Sequence, residues 1–146
     1  RAVNPPADAI AMDGLQRGVA HIERAVADGS DRDARWAMMS ASMQGAMAFQ
    51  KGLGAVHSLS HALGGLAVSP HHGTLNAVLL PEVVKFNEAA VPERVQRVAQ
   101  VFGARDGQTL ADAIRALNAR IGLPDGLAAM GIDRSQFDGV VANALK

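Results

Sequence analysis

Four of the five histidines in this 146-residue chain, His57, His61, His71 and His72, fall within Gly52–Asn87. Imidazole is the commonest side-chain ligand for metals, and it changes charge near neutral pH. A concentration of histidines in an otherwise apolar stretch therefore points to a metal site. His57 and His61 are four residues apart, which on a helix puts both rings on one face about one turn apart. His71 and His72 follow Gly64-Gly65 and Pro70. A loop at that place can return two or three imidazoles to within about 2.0–2.1 Å of one ion.

Other chemistries fit less well. Zinc proteases of the H-E-x-x-H type need a glutamate as general base, whereas here the run is His57-Ser58-Leu59-Ser60-His61. Gly52-Leu53-Gly54 lacks the further glycine and the preceding strand of a phosphate cradle. No Ser/His/Asp arrangement can be picked out from sequence order. His21, beside Glu23 and Arg24, is read as an ordinary structural histidine.

The elements that must position these side chains read as helices throughout. Asn4-Pro5 is a start signal, a capping residue followed by a proline whose missing N–H costs nothing there. Leu15, Val19, Ile22 and Val26 recur at helical spacing until Gly29. Ser30 with Asp33 suggests a capping box for the next helix. The small residues Ala34, Ala37, Ala41, Gly45 and Ala48, with Met38, make that helix a candidate for the centre of the bundle. Its methionines read as core filler rather than a cofactor box.

Thr74–Phe86 reads as a helix that Pro81 should kink or divide. Val91, Val95, Val98 and Phe102 form another period, with Pro92 in its first turn and Gly103 past its end. Leu110, Ile114, Leu117 and Ile121 form the next, stopped by Gly122 and Pro124. Asp133 and Gln136 are placed to cap a last short helix through Leu145. Threonine occurs only at Thr74 and Thr109, tyrosine is absent, and no segment alternates, so strands are not expected. The reading is an all-α helical bundle, with Gly64–Gly73 its most loop-like interior section.

Composition narrows the partners. Fourteen acidic and 14 basic residues cancel, so neither nucleic acid nor an anionic membrane is expected. The weakly polar run Trp36–Phe49 is too short to span a bilayer, and RAVNPPADAIAMDG does not read as a signal peptide. Cysteine is absent. That excludes disulfides and thiolate metal sites and fits a reducing compartment, with a cytoplasmic location as the expectation.

The run GLGAVHSLSHALGG followed by HHGTLNAVLLPEVVKFN resembles the signature of the iron-containing (group III) alcohol dehydrogenases. NPPADAIAMDGL and MQGAMAFQ before it, and LNARIGLPDGLAAMGI after it, resemble the same family. The resemblance implies a two-domain, dehydroquinate synthase-like enzyme. An N-terminal α/β domain binds the dinucleotide, and a C-terminal all-helical domain, the part this chain resembles, holds a divalent metal. The implied activity is interconversion of an alcohol with an aldehyde or ketone by metal-assisted hydride transfer to NAD or NADP. The implied metal is Fe2+, with Zn2+ as the other possibility. A dimer is the common assembly of the intact enzymes.

Carried over by position, the resemblance makes His57 and His72 metal ligands and His61 a residue beside nicotinamide and substrate, suited to proton relay. His71 competes with His72, because counting from His57 without a gap selects it. An aspartate and a further histidine ligand are expected upstream of Arg1. The chain is therefore expected to be a fragment, residues 1–146 being the helical metal-binding domain and inactive alone, and Ala142–Lys146 stops before the family's usual closing helix. Two alternatives remain: a stand-alone, non-catalytic helical metal-binding or interaction module, and a maleylacetate reductase-like relative. The substrate, the choice between NAD and NADP, and that between iron and zinc are not legible in the sequence.

Overall fold

The computed structural model describes residues 3–145. Arg1 and Lys146, at which the fragment reading places the ends, lie outside the described residues. Seven α-helices follow in order: α1 (Pro5–Ala27), α2 (Arg32–Ala48), α3 (Ala55–Gly64), α4 (His72–Glu88), α5 (Pro92–Val101), α6 (Leu110–Arg120) and α7 (Phe137–Ala144). Short 3-10 turns cover Phe49–Lys51, Ala128–Met130 and Arg134–Gln136. No strand occurs among the described residues, as the sequence led us to expect.

The start and stop signals act mostly where they were read. The Asn4 side chain accepts the Ala7 N–H at 3.3 Å. Asp133 and Gln136 form a reciprocal capping box ahead of α7. Gly103 and Gly122 follow α5 and α6 with φ of 64° and 75°, a left-handed conformation that glycine adopts without steric cost. The cap of α2 differs from expectation. Asp31 accepts the Ala34 N–H at 2.9 Å, while the Ser30 hydroxyl donates to Asp28 instead.

The centre of the bundle also differs from expectation. α1 and α2 form an antiparallel hairpin in which Arg24 pairs with Asp31, Asp13 with Gln44, and Asp8 with Lys51. A Cβ on Gly14 would lie 2.9 Å from Gln44 Cβ, so the small residues of the two helices are spent on each other. The outer face of α2 is open, with Trp36, Met39 and Met43 all at least 60% exposed. Met39, Met43 and Met47 are thus exposed rather than core filler, and Met38 alone of the α2 methionines is half-buried. A helix with one packing partner can bury only one face.

The central element is α4. Leu75 and Leu79 join Leu63, Ile132 and Val140 in one core. Leu80 and Val84 pack on the other, built from Val95, Leu110 and Ile114 of α5 and α6. Pro81 lies buried inside α4, which runs unbroken from His72 to Glu88. Of the kink or division expected at Pro81, the division does not occur. Proline removes the N–H that would bond the carbonyl four residues back, here that of Ala77. Asn118 of α6 supplies the missing donor, its Nδ2 donating to Ala77 O at 2.8 Å. The longest stretch outside an α-helix is 121–136 rather than the loop before α4.

Asn118→Ala should therefore cost about 1–2 kcal/mol in urea unfolding, because a half-buried carbonyl loses its partner. In a Pro81→Ala background the cost should shrink by about 0.5 kcal/mol or more, since residue 81 regains an N–H. Equal costs in the two backgrounds would show that Asn118 does not replace that bond.

Candidate metal centre

The side chains of His57 and His61 on α3 and of His72 on α4 form one cluster. Ring centroids are 5.8 Å apart for His57 and His61, 5.5 Å for His57 and His72, and 5.3 Å for His61 and His72, whose rings stack. Phe49 stands edge-on to His57 at 5.6 Å. Asn76, one turn after His72, brings its Nδ2 to 3.1 Å from His72 Nε2 and 3.5 Å from His57 Nε2. The two imidazole nitrogens thus converge on the Asn76 amide nitrogen.

His71 is turned to a different task. As N-cap of α4, its Nδ1 accepts the Thr74 N–H at 3.3 Å and lies 3.1 Å from Thr74 Oγ1. A Cβ on Gly73 would come within 3.1 Å of His71 Cε1, so glycine leaves room for the capping ring. His72, expected in a loop, is the first residue of the helix. The helix boundary between the two histidines sends one ring to the backbone and the other to the cluster.

His57 is half-buried, whereas His61 and His72 are exposed. Burial pushes the His57 imidazole below the usual histidine range, and the neighbouring His72 and His61 charges act in the same direction. Neutral His57 is thereby favoured, the form that binds metal. His21 lies apart, with its Nδ1 2.9 Å from the Arg17 carbonyl oxygen. Asp13 pairs with Arg17 at 3.1 Å and with Gln44. Neither belongs to the cluster, in keeping with the reading of His21 from the sequence as an ordinary structural histidine.

The donor set is chemically suited to a divalent first-row ion, for which imidazole is a good ligand. Among the described residues, however, no three His, Cys, Asp or Glu side chains are placed to hold an ion together. This chain offers a converging pair, His57 and His72, rather than a complete shell. Asn76 escaped the sequence reading, although its i+4 spacing from His72 was the same signal that linked His57 with His61.

Two apolar grooves reach the cluster. One, of about 510 Å³, runs between the α1–α2 hairpin and the start of α3, past Leu15, Val19, Ile22, Met38 and Leu53 to His57. The other, of about 410 Å³, lies between α3 and α4 and ends on His57 and Asn76. Apolar walls with a few convergent polar groups are the usual build of a small-molecule site. No helix among the described residues is long and apolar enough to cross a membrane.

The family model described as "Fe-containing alcohol dehydrogenase family, C-terminal" matches residues 1–146. The 4-hydroxybutyrate dehydrogenase of Cupriavidus necator is 56% identical over 152 residues, spanning 99% of this chain and 40% of its own length. The 1,3-propanediol dehydrogenase of Citrobacter freundii is 39% identical, spanning 98% and 39%. A solved 1,3-propanediol oxidoreductase superposes with a TM-score of 0.89 at 36% identity, over 98% of this chain and 40% of that one. A maleylacetate reductase from Rhizobium sp. strain MTP-10005 gives 0.82 at 29% identity, over 97% and 39%. The chain spans about two fifths of the length of these relatives.

Replacing His71 by Ala should remove a helix cap, at a cost of about 1 kcal/mol in denaturant unfolding. Contacts among the other three rings should persist in histidine NMR spectra. His57 should titrate below the usual histidine range. Its folded pKa lies below the unfolded one, so its contribution to stability holds above that value and is lost as pH falls through it. Stability measured against pH should therefore fall less steeply on the acid side in His57→Gln. An unchanged acid limb would remove His57 as its source.

Proposed function

The chain belongs to the Fe-containing alcohol dehydrogenase family, and from that membership we propose that it is the helical, metal-holding part of an NAD- or NADP-dependent oxidoreductase interconverting an alcohol with an aldehyde or ketone. The observation that carries this reading is the convergence of His57 Nε2 and His72 Nε2 beside His61. The dinucleotide-binding α/β domain and the remaining ligands would fall in the three fifths of the relatives' length that this chain does not match. The proposed substrate class is a short alcohol of the hydroxy-acid or diol type, after the names of the two dehydrogenases described above. A cytoplasmic location without nucleic-acid or membrane partners fits the zero net charge and the absence of cysteine, and a homodimer is proposed from the family resemblance alone.

His57 and His72 would hold the ion, Fe2+ or Zn2+. Polarisation of the substrate's alcohol or carbonyl oxygen is the chemistry such an ion supplies when bound. The rest falls to side chains of this chain. The depressed pKa of His57 keeps its ring neutral and available as a ligand. His61, stacked on His72 and exposed to solvent, would pass the hydroxyl proton through its ring nitrogens to water. The apolar grooves that end at His57 would exclude water from the substrate's carbon chain.

The test uses the full-length protein, loaded with Fe2+ or Zn2+ and assayed with 4-hydroxybutyrate or 1,3-propanediol and each dinucleotide. His57→Ala and His72→Ala should lose both bound metal and turnover. His61→Ala should keep the metal while kcat falls by about 10²–10⁴. His71→Ala should keep both metal and turnover. Full metal content in the His57 and His72 variants would defeat the ligand assignment. A stand-alone, non-catalytic module would show no turnover in any form.

A further inference from the structure

We propose that in the full-length protein a helix from the chain preceding residue 1 packs along the outer face of α2, on Trp36, Met39, Met43 and Met47. This rests on the reading of the chain as the C-terminal part of a longer oxidoreductase. The four residues are spaced three, four and four apart, which lines them up along one side of a helix. They are 65%, 72%, 60% and 51% exposed. The other side of α2 is taken by α1, where Ala41 Cβ would lie 3.7 Å from a Cβ on Gly18. Contiguous exposed apolar side chains mark sites of association, and tryptophan and methionine are enriched in the buried centres of interfaces.

Two observations select the occupant. The matching family model is the C-terminal one, and such a match leaves the other three fifths of the relatives' length ahead of it. The place of α1 then says where that chain arrives. α1 runs antiparallel to α2, and its first turn lies beside the end of the stripe, where Asp8 pairs with Lys51. Val3, just before α1, is 72% exposed. A helix joined there by a short connection becomes an antiparallel neighbour of α1, and it lies along α2 from Trp36 to Met47. A segment tethered so close acts at an effective concentration on the order of millimolar, an advantage that a second copy lacks. It would also steady the hairpin, which is held by limited packing of α1 on α5 and an exposed Glu23–Arg120 pair.

The test is made on the full-length protein. Peroxide should oxidise Met39, Met43 and Met47 at least about tenfold more slowly in the folded protein than in guanidinium chloride, because sulfoxide formation needs access to the sulfur. Equal rates by mass spectrometry would show an open face and overturn the proposal.

Met43→p-benzoylphenylalanine, a photocrosslinking variant, identifies the cover. Cross-links should form within single chains and join position 43 to peptides ahead of residue 1. Cross-links between copies, at twice the chain mass, would overturn the occupant in favour of a second copy. Cross-links confined to residues 1–146 would overturn it as well. The same replacement at Met39 serves if the variant at Met43 does not fold. Turnover of 4-hydroxybutyrate or 1,3-propanediol is measured on the unmodified preparation. Its absence with the methionines protected would overturn the oxidoreductase reading and leave the packing in place.

Discussion

The contact between α3 and α4 is the constraint on which the rest depends. Leu63 and Leu75 are each no more than 1% exposed and share one core with Ile132 and Val140. Burying such a leucine contributes about 1.5–3 kcal/mol, enough to set how the two helices approach each other. Ser60, fully buried, adds only a small side chain to α3, and its hydroxyl donates to the His57 carbonyl at 3.3 Å. That packing brings the His57 and His61 rings to the first turn of α4, where His72 and Asn76 meet them. A cavity in this core would disturb the histidines before it touched any of them.

α4 carries this load because it faces both cores at once, with Leu75 and Leu79 on one side and Leu80 and Val84 on the other. A helix so placed cannot easily tolerate a break, yet it contains Pro81. The bond from Asn118 to Ala77 O resolves the conflict and ties α6 to α4 at the same point. The α1–α2 hairpin is held more loosely, through limited packing of α1 on α5 and the exposed Glu23–Arg120 pair at 2.8 Å. Exposed pairs of this kind are worth little. The hairpin's main contribution to the site is the apolar wall of the groove that ends at His57.

Much of this was legible in the sequence because it is local. Helical periodicity gave the all-α class, and i, i+4 spacing put His57 and His61 on one face. The glycines after α5 and α6 marked real helix ends. Apart from the cap of α2, which is local, the misreadings concern tertiary context. Whether a stripe of alanines and methionines is buried depends on how many helices pack around it, and α2 has one main partner. Whether a proline divides a helix depends on a donor 37 positions away, at Asn118. Which of the His71 and His72 rings reaches the cluster depends on where α4 begins, and histidine is an unusual N-cap that gives little warning of a helix start. Asn76 was the exception. Its spacing from His72 was visible, but an amide was not weighed among the metal-site residues.

The most direct test of the account is a crystal structure of the full-length protein soaked with Fe2+, with anomalous differences collected at the iron edge. The account predicts one strong peak at about 2.0–2.2 Å from His57 Nε2 and His72 Nε2, with His71 still capping α4 and His61 unligated. A peak on His71, or iron bound away from the α3–α4 contact, would contradict it.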